Sequence, residues 1–128
     1  MPCTDTCVSM WCDEPADFYA ERMRRARKPH RCCECSRTIA VGEEHEYATG
    51  KNDGVFWDYR TCAECREIRQ AYCCDSWLFG QLWESMREQM FWGWDEMKML
   101  DCLAKLTTDA ATAKVRAEYA EFCKDRDA

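Results

Sequence analysis

Four cysteines, Cys32, Cys35, Cys62 and Cys65, stand as two Cys-x-x-Cys pairs, and theirs are the residue types and spacing that can do chemistry here. A two-residue spacer in a tight turn holds two sulfurs close enough to share one ion. Two such knuckles supply the four thiolates of a tetrahedral zinc site, each about 2.3 Å from the metal. A closed four-sulfur site leaves no coordination position for a substrate, so the expectation is a structural Zn2+. Iron would use the same sulfurs. Six more cysteines, Cys3, Cys7, Cys12, Cys33, Cys73 and Cys74, flank these pairs. From them a second metal site is expected, using Cys7 or Cys12 with Cys73 or Cys74. Cys102 and Cys123 fall within helical runs and read as small buried hydrophobes.

The elements that must position the sulfurs follow from the sequence between and around the pairs. Glu44 to Thr49 and Val55 to Arg60 flank Gly50-Lys51-Asn52-Asp53-Gly54, a turn-rich segment, which predicts a hairpin. Alternation in its second strand puts Val55, Trp57 and Tyr59 on one side and Phe56, Asp58 and Arg60 on the other. The second pair opens onto a helix-compatible run through Tyr72. Ahead of the first pair, Asp13-Glu14-Pro15 predicts a short helix with Phe18, Tyr19 and Met23 on its apolar side, ended by Pro29. Asp75 or Ser76 is expected to cap a helix carrying Phe79, Leu82, Trp83, Met86 and Met90. Asp95 would cap the next, with Met99, Leu100, Leu103 and Leu106, and a last helix after Thr108 carries Ala111, Val115, Tyr119 and Phe122. The expected class is α+β, with a metal core over 1–75 and a helical region over 76–128 packed on it.

Catalytic readings lack their residues. A His-based, metal-dependent nuclease needs one histidine at the hairpin and one on the following helix, whereas this chain has only His30 and His45. A thiol redox enzyme would need a βαβ setting for its Cys-x-x-Cys. No enzymatic activity is expected.

Composition narrows the partners. The formal charge of −6 argues against a general nucleic-acid binder. It is unevenly spread, from +1 over residues 1–31 to −3 over 32–72 and −4 over 73–128. Arg22, Arg24, Arg25, Arg27 and Lys28 form the main basic concentration, which suits a solvated face, or a patch for phosphate or an acidic protein surface. The opening residues show no basic and apolar leader pattern, and no run of about 18 apolar residues occurs, so a cytoplasmic chain with reduced thiols and no membrane partner is expected. Trp77, Trp83, Trp92 and Trp94 with Phe79, Phe91 and Met90 exceed what a thin helical layer readily hides. Trp92 and Trp94, around Gly93 and beside Asp95 and Glu96, are the expected partner contacts.

The order knuckle, hairpin, knuckle, helix, carried by Cys32-x-x-Cys35, Ile39, Gly42-Glu43 and Thr61-Cys62-Ala63-Glu64-Cys65, resembles a treble-clef zinc finger. His30 to Cys35 and Tyr59 to Cys62 also resemble small bacteriophage and prophage proteins of mostly unassigned role. The resemblance covers roughly residues 12–80 and implies a zinc-stabilised core in a phage-type factor, working in the host cytosol if phage-encoded. The functional expectation is a protein-binding factor, such as an inhibitor of a host defence or nucleic-acid-handling protein with a basic surface, or a homodimer through the same patch. The alternative is a nucleic-acid-binding regulator using the basic segment 22–31.

Overall fold

Asp53 and Gly54 alone close the central hairpin: both have positive φ (51° and 80°). That is the geometry of a two-residue primed turn, which an Asp-Gly pair adopts at low steric cost. In this computed structural model, which describes residues 8–9, 18–74 and 77–127, Gly50, Lys51 and Asn52, expected as turn, therefore belong to the first strand, and the hairpin is β4 (Glu44–Asn52) and β5 (Val55–Cys62). The other elements are β1 (Phe18–Arg25), β2 (His30–Arg31), β3 (Thr38–Ile39), α1 (Ala63–Tyr72), α2 (Leu82–Gln89), α3 (Glu96–Leu103) and α4 (Asp109–Asp127), with a 3₁₀ turn over Phe91–Gly93. The fold is α+β, with four α-helices and two small antiparallel sheets among the described residues.

The helix expected between Asp13 and Pro29 does not form over its second half. Phe18–Arg25 is instead a strand, antiparallel to β4 from Phe18 opposite Lys51 to Arg25 opposite Glu44, in a sheet of order β1-β4-β5. Local propensity was the weaker force there. The edge of β4 that faces away from β5 would otherwise present a row of free N–H and C=O groups, and pairing with β1 satisfies them.

Strand alternation then divides the sheet into two faces. Glu46, Ala48 and Gly50 share the inner face with Tyr19, Met23, Trp57, Tyr59 and Thr61. Trp57 lies directly across Gly50, where a Cβ would sit 2.0 Å from the indole, so only glycine fits. Arg69 of α1 reaches this face and pairs with Glu46 at 2.6 Å. The segment around Phe79 covers the rest, its ring stacked on Tyr59 with centroids 4.7 Å apart. On the outer face stand Phe18, Arg22 and Arg24 of β1, His45, Tyr47 and Lys51 of β4, and Phe56, Asp58 and Arg60 of β5.

One buried apolar cluster joins Cys32, Ile39 and Cys62 to Ile68 and Tyr72, then to Leu82, Met86, Phe91 and Trp94, and on to Leu103, Val115 and Phe122. The helical stripes read from spacing are largely those that bury, with Leu100 exposed. Asp95 caps α3, accepting from Lys98 N at 2.7 Å. Asp75 and Ser76 lie outside the described residues. The following helix starts only at Leu82, whose N–H donates to the Glu34 carboxylate at 3.1 Å, so Phe79 precedes the helix. Thr108 Oγ1 accepts from Ala111 N at 3.2 Å at the start of α4, and Thr107 N donates to Glu67 of α1 at 2.6 Å. No described helix is long and apolar enough to cross a membrane.

Candidate metal centre

The first knuckle is a closed turn clamped by β2 and β3. Cys32 N donates to Arg37 O at 2.8 Å, and Ser36 N returns to Cys32 O at 3.0 Å with Ser36 in the left-handed region (φ 64°). Cys33 N donates to Arg60 O at 2.8 Å, tying the knuckle to β5. The second pair sits where β5 becomes α1: Cys62 holds the N-cap position and Cys65 the first turn. Helix N-termini favour negative charge, so thiolates belong there.

The ligand atoms of Cys32, Cys35, Cys62 and Cys65 all lie within 4.8 Å of one another, and Cys35 Sγ is 3.8 Å from Cys62 Sγ. A tetrahedron with bonds of about 2.3 Å has edges of about 3.8 Å. The cluster thus has the donor set and spacing to hold a metal ion such as zinc. Two backbone amides already point at Cys32 Sγ, Glu34 N at 3.4 Å and Cys62 N at 3.3 Å, as thiolates in such turns require. Cys32, Cys62 and Cys65 are buried, and Cys35 is half-buried.

The four sulfurs cannot ionise alike at this separation. Hydrogen bonds from Cys32, Cys62 and Cys65 hold the Cys35 thiol far below its ordinary value, while Cys65 is pushed up by bonding to Cys32, Cys35 and Cys62. An incoming cation must displace the protons that remain. Lys114 of α4 also faces the cluster, its Nζ 3.3 Å from Cys35 Sγ. Burial works against its charge, yet the hydrogen bond to Cys35 keeps its pKa above the usual lysine value. Spacing along the sequence gave no sign of this contact, since the residues are 79 positions apart. Arg37 adds a second strap, binding Glu43 and, at 2.8 Å, Glu64 in the first turn of α1.

The expected second site finds less. Cys7 and Cys12 lie outside the described residues. Cys74 is disulfide-bonded and so has no thiolate to offer; Cys102 is buried as expected but is disulfide-bonded too, so the thiols are not all reduced as expected. Burial pushes Cys73 up to about 11 and Cys33 to about 12, so both remain protonated thiols at neutral pH. Cys33 Sγ lies 3.4 Å from Thr61 Oγ1. No second cluster of ligand-type side chains occurs among the described residues.

Of the expected partner contacts, Trp92 is 61% exposed and Asp95 and Glu96 are exposed, but Trp94 is buried. Its ring packs against Phe91 and Tyr119, and Tyr119 Oη donates to Trp94 O at 2.9 Å. Trp92 also touches α4, its ring edge-on to Phe122 with centroids 4.9 Å apart, but stays largely exposed. Arg22, Arg24, Arg25, Arg27 and Lys28 lie on β1 and the turn after it rather than on a helix, and the four arginines line an open cavity of about 590 Å³ with Met23, Val41 and Gly42. Arg24 and Arg60 both stack on Tyr47, at 4.7 and 4.5 Å from its ring centroid. Arg60 Nη1 donates to His45 Nε2 at 2.9 Å, which engages the buried His45 as an acceptor. No protein-family model matches the chain, and neither does a curated protein or a solved structure.

Proposed function

We propose that this protein is a non-catalytic, metal-stapled module that binds nucleic acid through the outer face of its three-stranded sheet. Zinc is the ion its four thiolates suit best, and we infer that the order knuckle, hairpin, knuckle, helix is a treble-clef finger serving as scaffold. The carrying observation is the strand β1. By pairing with β4 it lays Arg22 and Arg24 on one face with Arg60 and Lys51, and Asp58 is the one carboxylate on that face. Over residues 18–31 there are six basic side chains and one acidic. Arg22, Arg27, Lys28 and Arg31 form no ion pair with a described residue. The overall acidity does not cancel this, because Glu43, Glu46 and Glu64 are held by arginines, and Glu21 and Glu44 alternate onto the opposite face of the sheet from Arg22 and Arg24.

Phosphate contacts make affinity salt-dependent, with log K falling by about 0.7 per contact on single strands and about 0.9 on duplex for each decade of salt. The metal-loaded protein is expected to bind oligonucleotides at low salt with that linear dependence, and Arg22→Ala with Arg24→Ala to flatten the slope by about one to two units. An absence of binding at low salt to single strands and duplex alike would overturn the reading.

A second reading rests on Trp92, 61% exposed beside Asp95 and Glu96. Such a ring beside acidic groups suits a basic protein partner. This is the phage-type inhibitor reading, and Trp92→Ala would then abolish capture of that partner while leaving oligonucleotide binding intact.

A further inference from the structure

We propose that the outer sheet face selects single-stranded nucleic acid over duplex, with bases stacking on Phe18 and Phe56; this inference rests on the nucleic-acid reading above. Phe18 is 51% exposed and Phe56 is 72% exposed, and they stand on the two edge strands of the sheet. Both are aligned with Lys51 of the central strand, Phe18 opposite it in β1 and Phe56 opposite it in β5. Strand spacing sets the two rings about 10 Å apart across one end of the face. Their exposure is not explained by packing, because α1 meets this sheet from the other side, through Arg66 and Arg69 to Glu46. Lys51 Nζ lies 5.1 Å from the Phe56 centroid, so a phosphate that draws the ammonium away uncovers the ring for a base.

The basic end of the face lies about 13 Å further along the strands, four residues at about 3.3 Å each. There Tyr47 holds Arg24 and Arg60 on its ring, which fixes both guanidinium groups and reduces the entropy lost on binding phosphate. Tyr47 is a positioning residue, and Arg22 beside it in register adds a third cation. Arginines at one end and exposed rings at the other are the two components of single-strand recognition: cations that track the backbone and aromatic platforms that accept any base. A duplex offers its phosphates to the arginines but keeps its bases stacked on one another, so the phenylalanines gain nothing from it.

The test uses the full-length, metal-loaded chain and labelled oligonucleotides of about 16 nucleotides, the upper range of single-module site sizes. Each is prepared as DNA and RNA single strands and as the matching duplexes, and binding is followed by fluorescence anisotropy. The parent is expected to favour single strands. The Phe18→Ala, Phe56→Ala double variant should lose roughly 5–150-fold per ring on single strands, with an unchanged duplex affinity and salt slope. Phe18→Tyr with Phe56→Tyr should restore it. Circular dichroism and metal content matching the parent establish that these exposed substitutions leave the fold intact. Equal affinity for duplex and single strand, or an alanine double variant that binds single strands like the parent, would overturn the proposal while leaving the arginine face standing. Binding to neither form would remove both.

Discussion

Cys35 is the least buried of the four clustered thiols, and it is the one that Lys114 reaches from α4. A metal with four thiolates carries net negative charge, and an ammonium at 3.3 Å offsets part of it where the helix N-terminus and the two backbone amides do not reach. Contacts of this kind to a ligand tune affinity by about 10–100-fold. Lys114→Met is therefore expected to lose its metal to a chelator at about tenfold lower chelator concentration than the parent, with Lys114→Arg close to the parent. A colorimetric chelator competition reads this directly, and equal retention by the methionine variant would dismiss the role. Trp92 and Trp94 are two residues apart, yet one is 61% exposed and the other 5%.

At the scale of elements, α1 is attached to the sheet by one buried charge pair. Glu46 of β4 and Arg69 of α1 are 1% and 2% exposed, joined at 2.6 Å, with Trp77 stacked 4.3 Å from the guanidinium. Glu46 Oε1 and Arg69 Nε and Nη1 find no protein partner among the described residues, so the pair is incompletely compensated. Removing one member strands a buried charge, which costs about 3–5 kcal/mol, whereas replacing both by apolar groups of similar size is often neutral or better. Glu46→Ala is expected to lower unfolding stability by that amount in a denaturant titration. Glu46→Met combined with Arg69→Met is expected to recover most of it. A single variant as stable as the parent would mean that water already satisfies the site.

On the scale of the whole molecule, a continuous cluster from Cys32 to Phe122 couples the cysteine centre to the C-terminal helices. Stripping the metal should therefore lower one cooperative melting transition rather than release a separate core, because metal-binding free energy is folding free energy in a domain this small. Acid should do the same. Protons compete with the metal for the thiolates, so affinity falls as pH falls. Glu43 adds to this in the same direction. Its hydrogen bond from Arg37 depresses its folded pKa, so its contribution is present above the unfolded value of about 4.3 and is lost as pH drops through the folded one. Thermal melts from pH 7 down to about pH 3, with metal content measured in parallel, should show the midpoint falling as metal leaves. A midpoint indifferent to chelator and acid would refute a structural metal.

Cys32, Cys35, Cys62 and Cys65 could be paired from the sequence because each knuckle is local, and the primed Asp-Gly turn sets the register that brings the two together. The cap of α3 and the stripes of the last two helices were legible for the same reason: Asp95, Val115 and Phe122 act within a turn or two of their own positions. What tertiary structure decided was non-local. Residues 18–25 became a strand because the free edge of β4 took a partner, and that one pairing moved Arg22 and Arg24 from the expected helix to a shared face with Arg60 and Tyr47. Lys114 met Cys35, and Trp94 turned inward, because the helices packed as they did. Propensity sums interactions between near neighbours, whereas a sheet edge and a buried core select among conformations of almost equal local cost.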